Sequence, residues 1–175
     1  ENDYPVLYND GTDSYGSISI VPNETGLPLE MSYADENGNP TELASGVSRI
    51  VCTYDEAGNI TSQRFYNKNN EPAAIDGFYY ETRMEYDQFN RQIREFYLDA
   101  EGNLTTSDGV IADYRMEYNL QGALTKLSFM NEDGHLVNGN DFFAGYVIEY
   151  DERGNQKKVN YFNSDGKFCM TRSGY

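Results

Sequence analysis

Residues 52–70 read Cys52-Thr53-Tyr54-Asp55-Glu56-Ala57-Gly58-Asn59-Ile60-Thr61-Ser62-Gln63-Arg64-Phe65-Tyr66-Asn67-Lys68-Asn69-Asn70, and this stretch decides the fold. The runs Asp55 to Gly58 and Asn67 to Asn70 each open on a side chain that can accept the backbone N–H two places on. Each closes on a residue that tolerates positive φ, Gly in the first run and Asn in the second. A type I turn followed by one left-handed residue is a hairpin turn with a G1 bulge. The flanks alternate with period 2: Cys52 and Tyr54 share one face, with Thr53 between them on the other. Residues 52–70 therefore predict strand, turn, strand, turn.

The same signature recurs along the chain. It opens at Asn23, Asp35, Asp55, Asn67, Asp87, Asp99, Asn119, Asn131, Asp151 and Asn163, and closes at Gly26, Gly38, Gly58, Asn70, Asn90, Gly102, Gly122, Gly134, Gly154 and Gly166. Successive turns are alternately 12 and 20 residues apart, so the chain is five tandem copies of a 32-residue unit. Before the first turn of each unit, Ile20, Cys52, Met84, Met116 and Ile148 form one column, and Tyr54, Tyr86, Tyr118 and Tyr150 follow two residues later on the same face. Tyr33, Phe65, Tyr97, Phe129 and Tyr161 precede the second turn, and Pro40, Pro72, Leu104, Leu136 and Phe168 follow it. Tyr15, Val47, Tyr79, Ile111, Phe143 and Tyr175 recur in the connector. The fold class expected is all-β: tandem antiparallel hairpins in a solenoid-like or twisted meander sheet, each unit burying its neighbour's face. Met84, Tyr86, Met116 and Tyr118 are expected to be buried and Glu85 and Glu117 exposed. Arg83 and Arg115, on the same face as Glu85, Glu117 and Glu149, are expected to pair with those carboxylates across neighbouring strands.

Residues 1–175 read as a single repeat domain, with 1–30 an N-terminal cap and degenerate first unit and 31–175 the regular units. Pro22 stands where other units carry Tyr, and its ring blunts the edge it occupies. At the other end the chain stops in the fifth connector, which predicts edge-to-edge self-association or continuation in a longer chain. Tyrosine carries the hydrophobic load: there are 16 Tyr and 9 Phe but no Trp, at a mean hydropathy of −0.73. A formal charge of −16 argues against nucleic acid and anionic membrane surfaces as partners. No apolar run is long enough to insert in a bilayer. Cys52 reads as a small core filler, and its distance in sequence from Cys169 places the two in units too far apart for a disulfide.

The runs Tyr54-Asp55-Glu56-Ala57-Gly58-Asn59, Tyr86-Asp87-Gln88-Phe89-Asn90-Arg91, Tyr118-Asn119-Leu120-Gln121-Gly122-Ala123 and Tyr150-Asp151-Glu152-Arg153-Gly154-Asn155 resemble the YD repeats of the Rhs and toxin-complex families. The resemblance covers the chain from about residue 18 onward. It implies long antiparallel β-ribbons that coil into shells around a toxin payload or form surface-exposed stalks, with no catalytic residues in the repeats.

No catalytic constellation is legible. His135, the single histidine, follows turn residue Gly134 and is expected to be exposed, with no nucleophile or carboxylate partner in the pattern. No metal site and no cofactor are expected, and the protein is not expected to be an enzyme. The function expected is a noncatalytic secreted or cell-surface module that binds a glycan or protein partner through Tyr-rich surfaces. Tyr79, Tyr80, Tyr114 and Tyr146 are the candidate binding residues. The alternative is a structural spacer or shell fragment of a larger Rhs-like surface or toxin protein. An acidic, Tyr- and Asn-rich repeat chain beginning at Glu1 is read as a trimmed product located outside the cell or on a bacterial surface.

Overall fold

The structure, a computed structural model, describes Tyr8–Asn9 and residues 13–171. Thirteen strands follow in chain order, with no helix among the described residues. They are β1 (Tyr8–Asn9), β2 (Ser14–Tyr15), β3 (Ser17–Pro22), β4 (Pro28–Ala34), β5 (Arg49–Tyr54), β6 (Ile60–Tyr66), β7 (Glu81–Tyr86), β8 (Gln92–Leu98), β9 (Leu104–Thr105), β10 (Asp113–Tyr118), β11 (Leu124–Met130), β12 (Gly145–Tyr150) and β13 (Gln156–Phe162). From β3 to β13 each strand pairs with its chain neighbours in an antiparallel meander of open order, apart from β9, which pairs only with β8. Residues 1–7 and 10–12 of the expected cap, and Tyr175 of the connector column, lie outside the described residues.

All ten turns form as the sequence specifies. In every one the fourth residue donates its N–H to the carbonyl of the first, and the first donates to the carbonyl of the fifth. Every fourth residue has positive φ, including the non-glycines Asn70 at 66° and Asn90 at 59°. The opening side chain accepts two backbone N–H groups at once: Asp55 Oδ1 takes Ala57 at 3.0 Å and Asn59 at 2.9 Å. Asn119 Oδ1 takes Gln121 at 3.1 Å and Ala123 at 2.9 Å. Beyond the turn, the register slips by one more residue on the returning strand, past Thr61, Thr125 and Lys157, so that Thr53 pairs with Ser62, Glu117 with Lys126 and Glu149 with Lys158, a second bulge separate from that of the turn itself.

Each of the four connectors wholly within the described residues holds a third turn that the ten-turn pattern does not include. Leu43 N–H bonds the Val47 carbonyl, and the pattern repeats from Ile75 to Tyr79, Ser107 to Ile111 and Gly139 to Phe143, again at the 32-residue period. These turns bring Val47 and Ile111, 2% and 4% exposed, and the fully buried Ala112 and Ala144 onto the second-turn end of the aromatic face.

The chain forms two compact units. The first runs to Arg83 and takes in Leu98–Asn103; the second holds Met84–Tyr97 and the residues from Leu104 onward. In the first unit β3, β4, β5, β6 and the start of β7 pair in order. The buried apolar residues there are Val47, Cys52, Ala73 and Leu98. In the second unit β8, β10, β11, β12 and β13 pair in order. Tyr97, Ile111, Ala112, Phe129, Ala144, Ile148 and Phe162 are its buried apolar residues.

Two expectations about packing are corrected. Met84, Tyr86, Met116 and Tyr118 are half-buried, not buried, while Glu85 and Glu117 are exposed as expected. Burial varies along the column: Cys52 and Ile148 are buried, Met84 and Met116 half-buried, and Ile20 exposed. The charge pairing also differs. Arg83 and Arg115 bond Glu81 and Asp113, two residues back on their own strands, and leave Glu85 and Glu117 to Arg94 and Lys126 of adjacent strands. Glu81 and Asp113 are themselves buried, at 4% and 1% exposure, which draws the nearest arginines to them. Cys52 is buried, and both cysteines are free thiols.

Candidate functional site

Register separates two faces of the meander. In the second unit Tyr114, Met116 and Tyr118 stand opposite Phe129, Leu127 and Leu124, and Asp113, Arg115 and Glu117 between them stand opposite Met130, Ser128 and Lys126. The first face carries a file of six rings. Tyr97 meets Tyr114 (centroids 6.2 Å apart), Tyr114 meets Phe129 (5.3 Å), Phe129 meets Phe143 (5.5 Å), Phe143 meets Tyr161 (4.9 Å), and Tyr161 meets Tyr146 (6.1 Å). Most of these contacts are edge-to-face, the arrangement that ring quadrupoles favour. The connector ring Phe143 joins the strand columns into one file.

An open groove on this face is lined by Gln92, Glu95, Tyr97, Tyr114, Met116 and Leu127. Glu95 is held at both oxygens, by Tyr97 Oη at 2.7 Å and by Gln92 Nε2 at 2.8 Å. Tyr97 is buried and Tyr114 half-buried, so Tyr114 is the ring of this pair that a ligand would cover. Burial holds the Tyr114 and Tyr146 hydroxyls above the ordinary phenol range. A ring beside a fixed carboxylate and amide can stack on an apolar sugar face and bond its hydroxyls, and can equally seat a peptide side chain.

The four candidate tyrosines divide between the two units. Tyr114 and Tyr146 stand one repeat apart on β10 and β12, joined through the ring file of the second unit. Tyr79 and Tyr80 belong to the first unit, where Tyr79 meets Phe65 edge-on at 6.0 Å and Tyr80 lines a cleft with Arg64, Pro72 and Glu101. All four are half-buried. The roles of Gln92 and Glu95 are missing from the sequence reading, because neither belongs to a repeating column. His135 is exposed, as expected, and its N–H closes onto Asn131 Oδ1 at 2.9 Å.

The turn tips carry acidic groups of a different kind. Hydrogen bonds from the residue four places on hold the carboxyls of Asp35, Asp55, Asp99 and Asp151 below the ordinary range, from Asn39, Asn59, Asn103 and Asn155. Arg91 does the same for Asp87. Each donor is the bulge residue, so these shifts follow from turn geometry.

No protein-family model and no curated protein sequence matches the chain. Among solved structures it is similar to the crystal structure of TcdB2-TccC3-TEV, at 14% identity and a TM-score of 0.33 over 89% of this chain, and it spans 10% of the length of that chain.

Proposed function

We propose that the chain is a noncatalytic repeat module of the YD-repeat kind, acting outside the cell or on a bacterial surface, that binds a glycan or protein partner through its aromatic face. The observation that carries this reading is the groove in which half-buried Tyr114 adjoins a Glu95 carboxylate fixed by Gln92 and Tyr97. A pre-oriented acceptor beside an available ring is the arrangement that sugar recognition uses, and it costs little ordering entropy on binding. Because the chain has no Trp, its emission is that of its 16 tyrosines, with Tyr97 and Tyr114 of the groove among them. Titration with a panel of soluble cell-wall and exopolysaccharide oligomers is expected to give a saturable change in that emission. Tyr114→Ala should weaken it at least about tenfold, the scale of one well-placed aromatic contact. No saturable response across glycan and peptide panels would remove the proposal.

The second reading is a structural spacer or shell fragment of a larger Rhs-like protein. It is favoured by the tyrosine hydroxyls of the first-turn column, which tie neighbouring hairpins together without any ligand.

A further inference from the structure

The polar face of the first unit holds two arginines on one buried acid. Arg64 Nε lies 2.6 Å from one oxygen of Glu81, and Arg83 Nε lies 2.8 Å from the other. The Glu81 side chain is 5% exposed, whereas those of Arg64 and Arg83 are 53% and 46% exposed. Arg64 also hydrogen-bonds the Tyr66 side chain, and Glu81 is the only acid with which either arginine forms an ion pair among the described residues. In the open groove that both arginines line, Glu81 is the one carboxylate against two guanidiniums, while Asp99 and Glu101 line the neighbouring cleft with Arg64. Beside them runs an open groove lined in part by Thr53, Thr61, Ser62 and Tyr66. The Thr53 hydroxyl meets those of Thr61 and Ser62 at 2.8 and 2.9 Å.

The second unit has the corresponding cluster in a neutralised form. Arg94 and Arg115 both bond Asp113, but Arg94 Nη1 also meets Glu85 at 3.1 Å, so two cations face two anions. The contrast separates the first cluster from an ordinary ion-pair ladder of an exposed sheet face. Guanidinium groups held in place by a buried carboxylate and half exposed to solvent suit the oxygens of a carboxylate, sulfate or phosphate.

We propose that Arg64 and Arg83, positioned by Glu81 and flanked by the Thr53, Thr61 and Ser62 hydroxyls, form a binding site for a small oxyanion group. The site belongs to the first unit and does not depend on the ligand of the aromatic groove in the second. The test follows the arginine side-chain N–H resonances while sodium sulfate, phosphate, acetate or glucuronate replaces chloride at constant ionic strength. Saturable shifts at Arg64 and Arg83 are expected. Arg83→Gln and Arg64→Gln should each weaken binding at least about tenfold, and Arg115→Gln should leave it within about twofold, all three keeping the wild-type circular dichroism. A tighter response to glucuronate than to acetate places the group on a sugar acid, equal responses place it on a free anion, and either upholds the site. Shifts that grow linearly without saturation, or an equal loss in Arg115→Gln, would overturn it.

Discussion

The Tyr118 hydroxyl donates to the backbone carbonyl of Gln92 at 2.8 Å, reaching 26 residues back from the turn-entry position of one hairpin to the start of the returning strand of the one before. Tyr54 reaches the Pro28 carbonyl and Tyr150 the Leu124 carbonyl at the same sequence separation. This explains why the column is tyrosine and not phenylalanine: ring packing needs only the ring, and the tether needs the hydroxyl. Removing the hydroxyl leaves a strand-end carbonyl without its partner. Tyr118→Phe is expected to cost about 1 kcal/mol, the net worth of one such bond, with little change in the urea m-value. Equal stability of wild type and variant in urea unfolding would show that water replaces the tether.

The location of the core sets a contrast between two aliphatic residues. Ile111 is 4% exposed beneath its connector, and Leu120, at a hairpin tip, is 101% exposed. Ile111→Ala should cost about 2–4 kcal/mol through lost transfer energy and the cavity left behind, and Leu120→Ala less than about 0.5 kcal/mol. Equilibrium unfolding of the two variants checks this, and comparable losses would contradict the assignment of the core to the connector end.

Gly145 occupies the repeat position that holds Glu81 and Asp113 in earlier units, and no side chain fits there. A Cβ would lie 2.1 Å from the Leu127 carbonyl oxygen and 2.6 Å from Phe162 Cζ, at a φ of 153°. Gly145→Ala must therefore part β11 from β12 or displace the buried Phe162 ring. A loss of about 2 kcal/mol or more is expected, read as a lower unfolding midpoint. An unchanged midpoint would show that the two strands do not approach so closely.

Stability should fall at both ends of the pH range, for opposite reasons. Burial raises the folded-state values of Tyr33, Tyr54, Tyr114, Tyr118 and Tyr146. Their contribution is complete below the unfolded phenol value of about 10 and is lost as pH rises through the folded values. Hydrogen bonds lower the folded-state values of Asp35, Asp55, Asp87, Asp99 and Asp151. Their contribution is complete above the unfolded carboxyl value of about 4 and is lost as pH falls through the folded values. Urea midpoints from pH 2 to 11 should show a plateau between these limits. Rising stability above pH 10 would contradict the burial of the tyrosines.

The ten hairpin turns were legible because their chemistry is local: a side-chain acceptor at the first position and a left-handed residue at the fourth are both written in sequence. The third turn of each unit was not, because its left-handed residue drifts from Gly46 to Asp76 and Gly77, then Gly109, then Phe142. Column arithmetic groups Met84 with Cys52 and Ile148 but does not show that the latter two are buried while Met84 is only half-buried. Nor could it show that Glu81 and Asp113, on the polar face by alternation, are buried. Of the candidate site, the Tyr114 and Tyr146 columns were readable from the period. Glu95 and Gln92 were not, since their contact with Tyr97 depends on side-chain reach within one strand.

The most direct test of the proposed binding face is hydrogen–deuterium exchange of the protein with and without a saturating oligomer identified by the tyrosine titration. Slowed exchange is expected in peptides covering residues 92–98, 113–118 and 124–130, with the turn tips at Gly58, Gly122 and Gly154 unchanged. Protection confined to the tips, or absent from the strands that carry Tyr97, Tyr114 and Leu127, would contradict the assignment of the ligand to the aromatic face.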